Sequence, residues 1–269
     1  MCRHLAHLGP PRTLAEILLE PEHGLLAQSY APADMRGGGT INADGFGAGW
    51  YPSVPGARPE SPAPEPVRVR SARPLWTDTS FAALAGATRS GAVLAAIRSA
   101  TVGMPVVETA AAPFTDGRWL FSHNGVVRGW PGSLAAAASG LPVTDLLTLD
   151  APTDSAVLWA LVRSRLRAGD DPAAVLAETC ERVEHDAPGS RLNLLLTDGT
   201  TIWATAWRHA LAVRTETGIA GEPAATVASE PTHAFPDWTE VPDRHLVVAC
   251  PGRHDLHPLT GARPSRPSG

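Results

Sequence analysis

The chain has 269 residues, 43% hydrophobic and 18% charged, with 26 Pro and 25 Gly, the composition of a turn-rich globular protein able to bury a sizeable core. Its basic residues are 22 Arg and no Lys against 27 acidic residues, a net charge of −5 that argues against a phosphate-tracking nucleic-acid surface and removes every mechanism built on a lysine amine. No apolar run approaches the ~18 residues of a membrane helix, and residues 1–10 lack the apolar core of a secretory signal. With cysteines only at positions 2, 180 and 250, the expected setting is the reducing cytoplasm, with no membrane partner.

In chain order, Cys2 to Leu8 alternates as a strand, and Thr13 with Glu16 gives a capping-box start to a short helix ending before Pro21. Gly45 to Tyr51 reads as a glycine-interrupted strand, and six prolines between Pro52 and Pro66 mark an irregular surface loop. Arg36-Gly37-Gly38-Gly39 is a further loop, too short for a nucleic-acid tail. Ala92 to Arg98 and Arg118 to Ser122 are short apolar strands, and Leu134 to Ser139 is helical. The strongest helix runs from Thr153, its cap, to Ala168, with Val157, Leu158, Leu161, Val162 and Leu166 as one apolar stripe. A second helix opens at Asp171-Pro172 and reaches His185. Leu192 to Leu196 and Thr201 to Trp207 flank the hairpin signal Asp198-Gly199, and Leu211 to Arg214, Ala225 to Ser229 and His245 to Cys250 complete the strands. Strands, then helices, then strands, without regular βαβ alternation, predict two mainly antiparallel sheets with helices outside, in one domain over residues 2–250 and a tail over 251–269.

Four local patterns carry chemistry. Loss of Met1 would leave Cys2 with a thiol and an α-amine on one residue, a nucleophile with a base of pKa ~7.7 to 8.0. Phe121-Ser122-His123-Asn124-Gly125 ends a strand with a side-chain amide and a glycine N–H, two donors able to meet an oxyanion. Arg98 to Thr101 places an Arg at a strand end, where it can grip a carboxylate in bidentate fashion. Asp154 lies at a helix start, within reach of a substrate ammonium. Each pattern has an ordinary reading too: a small residue after the initiator, a tight turn, a surface Arg, a helix cap. Gly45, Gly47 and Gly49 lack the spacing of a dinucleotide turn, and His4, His7, His254 and His257 lack the partners of a metal site.

Together, and in this order, the patterns resemble the class II glutamine amidotransferases, a branch of the N-terminal nucleophile hydrolases. Met1-Cys2-Arg3-His4, residues 42–51, Trp76-Thr77-Asp78, Arg98-Ser99-Ala100-Thr101, Ala112-Pro113-Phe114, His123-Asn124-Gly125 and Val227-Ala228-Ser229-Glu230-Pro231 are similar to the ergothioneine-pathway subgroup. The resemblance implies an α+β fold, a four-layer αββα sandwich, and a small-molecule γ-glutamyl substrate, the S-oxide of γ-glutamyl-hercynylcysteine, cleaved without a cofactor or metal. It implies Cys2 as nucleophile, Asn124 and Gly125 as oxyanion hole, Arg98 and Thr101 at the substrate α-carboxylate, Asp154 at its α-ammonium, and His123 as a further substrate-binding residue. Where synthase-linked members often carry His after this Arg-x-x-Thr element, the chain has Val102, which suits release of the amine to water. The trimethylated leaving group calls for aromatic faces, for which Trp50 and Trp76 are the candidates. A hydrolase of glutamine or other γ-glutamyl compounds, and a non-enzymatic domain retaining the fold, are the competing readings.

Overall fold

A computed structural model describes residues 2–35, 41–52, 64–217, 222–234 and 236–259. The strand β1 (Arg3–Thr13) leads through the capped helix α1 (Leu14–Leu18) and α2 (Leu25–Tyr30) to β2 (Phe46–Trp50), β3 (Val67–Ser71), α3 (Thr79–Ala87) and β4 (Arg89–Ile97). The short strand β5 (Phe114–Asp116) and β6 (Trp119–Val126) follow, then four helices, α4 (Ala135–Ala138), α5 (Val143–Leu147), α6 (Asp154–Arg167) and α7 (Pro172–Asp186). Seven strands close the chain: β7 (Arg191–Thr197), β8 (Ile202–Ala206), β9 (Ala212–Thr217), β10 (Pro223–Ala228), β11 (Thr239–Glu240), β12 (His245–Cys250) and β13 (Arg253–Pro258).

These strands form two antiparallel sheets, of seven strands in the order β11-β9-β10-β1-β4-β2-β3 and of six in the order β13-β12-β8-β7-β6-β5. Ala6, Leu8, Leu94, Leu120, Leu195 and Val227 fill the space between them, while Leu5, Phe46, Val93 and Ala228 face α1 and α3. On the far side Phe121, Leu192 and Leu194 pack against α6 and α7, and Phe121 stacks on Trp159 with ring centroids 5.2 Å apart. The layers are therefore helix, sheet, sheet, helix, because each strand alternates one apolar set inward and another outward.

Both helix caps read from the sequence are formed: Thr153 Oγ1 accepts from the Ala156 N–H, and Asp171 accepts from Ala174 ahead of Pro172. The Gly-x-Gly strand packs the sheets closely, since a Cβ on Gly49 would lie 2.8 Å from the Leu120 side chain and one on Gly47 would strike the Ala112 carbonyl. The tail is a correction: Arg253–Pro258 pairs with β12 as the edge of the six-stranded sheet. Its side chains are largely exposed, so its place is held by backbone bonds that leave no apolar pattern to read. α2 and α3 escape the periodicity as well, each being shorter than three turns. Residues 36–39, most of the Pro52 to Pro66 loop and residues 260–269 lie outside the described residues. Among the described residues, no helix is long and apolar enough to cross a membrane.

Two buried histidines make the fold acid-sensitive. His7, 3% exposed, bonds Thr226 Oγ1 through Nδ1 at 2.9 Å. Burial, reinforced by the Arg12 charge, pulls its pKa from 6.5 to about 4, and His4 is lowered in the same direction by burial and by His123, His209 and Arg3. The unfolded chain binds these protons first, so the stabilisation is complete above pH ~6.5 and is lost as pH falls through ~4, a swing of ~3 kcal/mol for His7. Thermal unfolding at constant ionic strength is expected to show Tm falling across that window, and His7→Gln to flatten part of the fall; an unchanged slope would return the effect to other groups.

Candidate active site

Because β1 lies between β10 and β4, the residue that precedes it is flanked on both sides. Arg3 pairs with Ile97 of β4, and the His4 and Ser229 backbones are joined by a 2.9 Å bond from the Ser229 N–H on the β10 side. Cys2 Sγ donates to Ser99 O at 3.6 Å. Arg3 is fully buried; it ion-pairs with Glu230 and its Nη1 donates to the carbonyl of Cys2 at 2.9 Å, clamping the backbone of Cys2. Burial would raise the Glu230 carboxyl, but its bond to His23, the Arg3 charge and the Ala33 N–H hold it below the usual carboxylate range.

From the facing sheet, β6 supplies Asn124. Leu120 points between the sheets and Phe121 toward α6, so alternation turns Ser122 and Asn124 inward and His123 outward. Ser122 Oγ meets His4 Nδ1 at 3.2 Å, and Asn124 Nδ2 donates to Ser229 Oγ at 2.9 Å. Ser229 thereby sets the orientation of the amide, and it accepts the His4 N–H at 3.0 Å as well. Gly125 tolerates no side chain: a Cβ there would collide with the Arg191 carbonyl and the His123 ring.

Arg98 follows β4 directly and is 9% exposed. Its Nη1 donates to Pro105 O at 2.8 Å, which fixes the fork while Nε and Nη2 keep their capacity for a carboxylate. Asp44 ties this turn down, accepting from Ala100 N at 2.7 Å. Thr101 is exposed in the turn that its carbonyl closes with Met104 N, and Val102 is fully exposed. Asp154, 6% exposed at the start of α6, accepts from Val127 N at 3.0 Å and Ser155 N at 2.8 Å, so it sits against the residues following Gly125.

His123 departs from its expected place. Its Nε2 donates to Arg191 O at 3.0 Å and its Nδ1 accepts from the Ser155 hydroxyl at 2.9 Å, so both ring nitrogens serve the protein and the side chain props β6 against β7 and α6. Trp50 is also displaced: it is buried in the cluster between the seven-stranded sheet and its helices and pairs with Val93, four residues along β4 from the Ile97 end. It cannot face a substrate at Cys2. Trp76, 39% exposed, meets Tyr30 edge-on at 6.2 Å, outside the cleft between the sheets. Trp238 packs at the edge of the same cluster as Trp50 and also faces open space. It lines a cavity of about 930 Å³ with Glu22, Asp34, Ser229, Glu230 and Glu240. Ser229, which bonds the His4 N–H and the Asn124 amide, forms part of the cavity wall.

Sequence reading missed Ser229, Asp44, the Arg3–Glu230 pair and Arg191. Ser229 and Glu230 stood in a quoted segment, yet their partners are 105 and 227 residues away. The remaining cysteines are poor nucleophiles by position. Cys180 is buried, and burial pushes its thiol up to about 12; Cys250 pairs with Arg253 at the turn into β13.

Comparison with known proteins agrees with this geometry. Residues 25–218 match the family model of class II glutamine amidotransferases. The chain is 43% identical over 247 residues to gamma-glutamyl-hercynylcysteine sulfoxide hydrolase of Mycolicibacterium smegmatis, covering 92% of this chain and 95% of the relative. It is 41% identical to the protein of that name from Mycobacterium tuberculosis, covering 92% of each. The structure of a glutamine aminotransferase class-II domain protein from Silicibacter pomeroyi superposes with a TM-score of 0.66 at 26% identity, covering 96% of this chain and all of that one. With the αββα layering, these matches place the chain in the class II glutamine amidotransferases.

Proposed function

We propose that the chain is an amidohydrolase that cleaves the γ-glutamyl amide of γ-glutamyl-hercynylcysteine S-oxide, releasing glutamate and hercynylcysteine S-oxide. The observation that carries this reading is the near-full-length likeness to the two mycobacterial hydrolases. Support comes from the cavity of about 930 Å³ beside Ser229, which offers room for a leaving group far larger than ammonia, with an indole and carboxylates suited to a quaternary ammonium.

In the mechanism, the Cys2 α-amine, freed by loss of Met1, takes the thiol proton as sulfur attacks the γ-carbonyl. Asn124 Nδ2 and the Gly125 N–H receive the oxyanion, with Ser229 keeping the amide N–H outward. Collapse breaks the C–N bond, the α-ammonium gives its proton to the departing nitrogen, and a γ-glutamyl thioester remains. Water, deprotonated by the same amine, adds to the thioester carbonyl; the C–S bond breaks and the proton returns to sulfur. Arg98 and Thr101 hold the glutamyl α-carboxylate, and Asp154 its α-ammonium. The atoms balance without a metal or organic cofactor, and the requirement for a reduced thiol fits the cytoplasm.

The test is kcat/KM on the S-oxide, glutamine and glutathione side by side. The S-oxide is expected to exceed the other two by at least about 100-fold, the scale of discrimination a dedicated polar subsite supplies. Equal turnover of glutamine or glutathione would replace the proposal with a general γ-glutamyl hydrolase.

A further inference from the structure

Arg191 opens β7 and pairs with Val126, two positions beyond Asn124 on the adjacent strand. Leu192, Leu194 and Leu196 point to the helices and Leu195 points between the sheets. Alternation therefore turns the Arg191 side chain into the cleft, on the same face of the sheet as Asn124. Its backbone is fixed, since the His123 ring donates to its carbonyl at 3.0 Å.

The guanidinium is half-buried, its Nε is buried without a hydrogen-bond partner, and no carboxylate among the described residues pairs with it. Among the other well-buried arginines, Arg3 has Glu230, Arg70 has Asp150 at 2.9 Å and Arg163 has Asp145 at 3.2 Å, while Arg98, like Arg191, has no carboxylate partner among the described residues. Burial and then the Arg128 charge lower the Arg191 pKa, and Cys2 acts in the opposite direction. A half-buried guanidinium that faces a cleft and has no carboxylate of its own among the described residues is placed to take an anion from a ligand.

We propose that Arg191 receives the α-carboxylate of the amino acid whose nitrogen leaves. The inference rests on the reading that Cys2 hydrolyses γ-glutamyl amides. In such a substrate this carboxylate is separated from the scissile nitrogen by one carbon, so a γ-carbonyl seated at Asn124 carries it to the mouth of the cleft. The glutamyl α-carboxylate, at the opposite end of the glutamyl chain, goes to Arg98 on the β4 side. The two arginines thus take two of the three carboxylates of the S-oxide, the third being that of its trimethylated histidine. Glutamine has no second carboxylate, and in glutathione the corresponding group is tied up in a peptide bond, so both leave Arg191 unfilled. γ-Glutamyl-hercynylcysteine S-oxide presents it free.

The matched pair γ-glutamylalanine and γ-glutamylethylamide, which differ only by this carboxylate, isolates the contact. Wild-type kcat/KM is expected to favour γ-glutamylalanine by about ten- to a hundredfold, the range of one charged hydrogen-bonded pair. In Arg191→Gln the ratio is expected to approach one, and in Arg191→Lys to fall between, because a point charge replaces a planar fork. A wild-type ratio near one overturns the proposal before any variant is made. So does an Arg191→Gln protein, folded by circular dichroism, that loses both substrates equally, since Arg191 would then act on the thiol. Failure of the wild type on the S-oxide with the alanine preference intact removes that substrate and leaves the Arg191 contact standing.

Discussion

Cys2→Ala is expected to fold with an unchanged Tm, within about 2 °C, and to lose at least about 10⁴-fold in kcat, the order seen when a covalent nucleophile is deleted. The Cys2 side chain lies before the first strand and is only part-buried, so removing one sulfur leaves little cavity. The backbone it belongs to remains clamped by Arg3. Cys180→Ala and Cys250→Ala should keep wild-type turnover, because the Cys180 thiol is buried against Leu192 O and Thr205 and stays protonated, and Cys250 contacts Arg253 at an edge turn. Cys180→Ala should lose stability instead, by about 1 kcal/mol for a small buried group. Intact-mass measurement of the active protein should find Met1 absent, and iodoacetamide should abolish activity in step with alkylation of Cys2. An active Cys2→Ala protein, or full activity with Met1 retained, would mean that the nucleophile or its base has been misassigned.

Asn124→Ala should lower kcat by roughly 10² to 10³, the magnitude for one oxyanion donor, with KM within a few-fold of wild type. Asn124 is fully buried and its Nδ2 is held by Ser229, so the donor is preorganised and costs no reorientation as charge develops. Ser229→Ala should reproduce a fraction of the loss, since it leaves Asn124 in place but frees its amide to rotate. The measurement is kcat and KM for both variants on one substrate. A change in KM alone would place Asn124 in ground-state binding, and full activity of Ser229→Ala would remove Ser229 from any positioning role.

The sequence by itself determined the starts of the two long helices, since Thr153 and Asp171 cap through bonds to residues three positions away and Pro172 fits the first turn. It determined the strand alternation around Leu120 to Asn124 for the same reason: a period of two is written into neighbouring residues. It also marked Cys2, Asn124, Gly125, Arg98 and Asp154, each embedded in a short local pattern. The strand order was decided by the tertiary structure, which set β10 and β4 on either side of β1 and so put Ser229 and Arg98 on the two sides of the chain start at Cys2. Ser229 gains its meaning from Asn124, 105 residues earlier, and Arg191 from the face it shares with Asn124. The errors have the same origin. Trp50 stands in a family-like segment, but the face of β2 it occupies is set by pairing with β4 and packing under α1 and α3, which sends the indole into the core and leaves Trp238 to the cavity. His123 sits beside Asn124 in sequence, yet a one-residue step along a strand turns a side chain to the opposite face, so it supports β6 from behind.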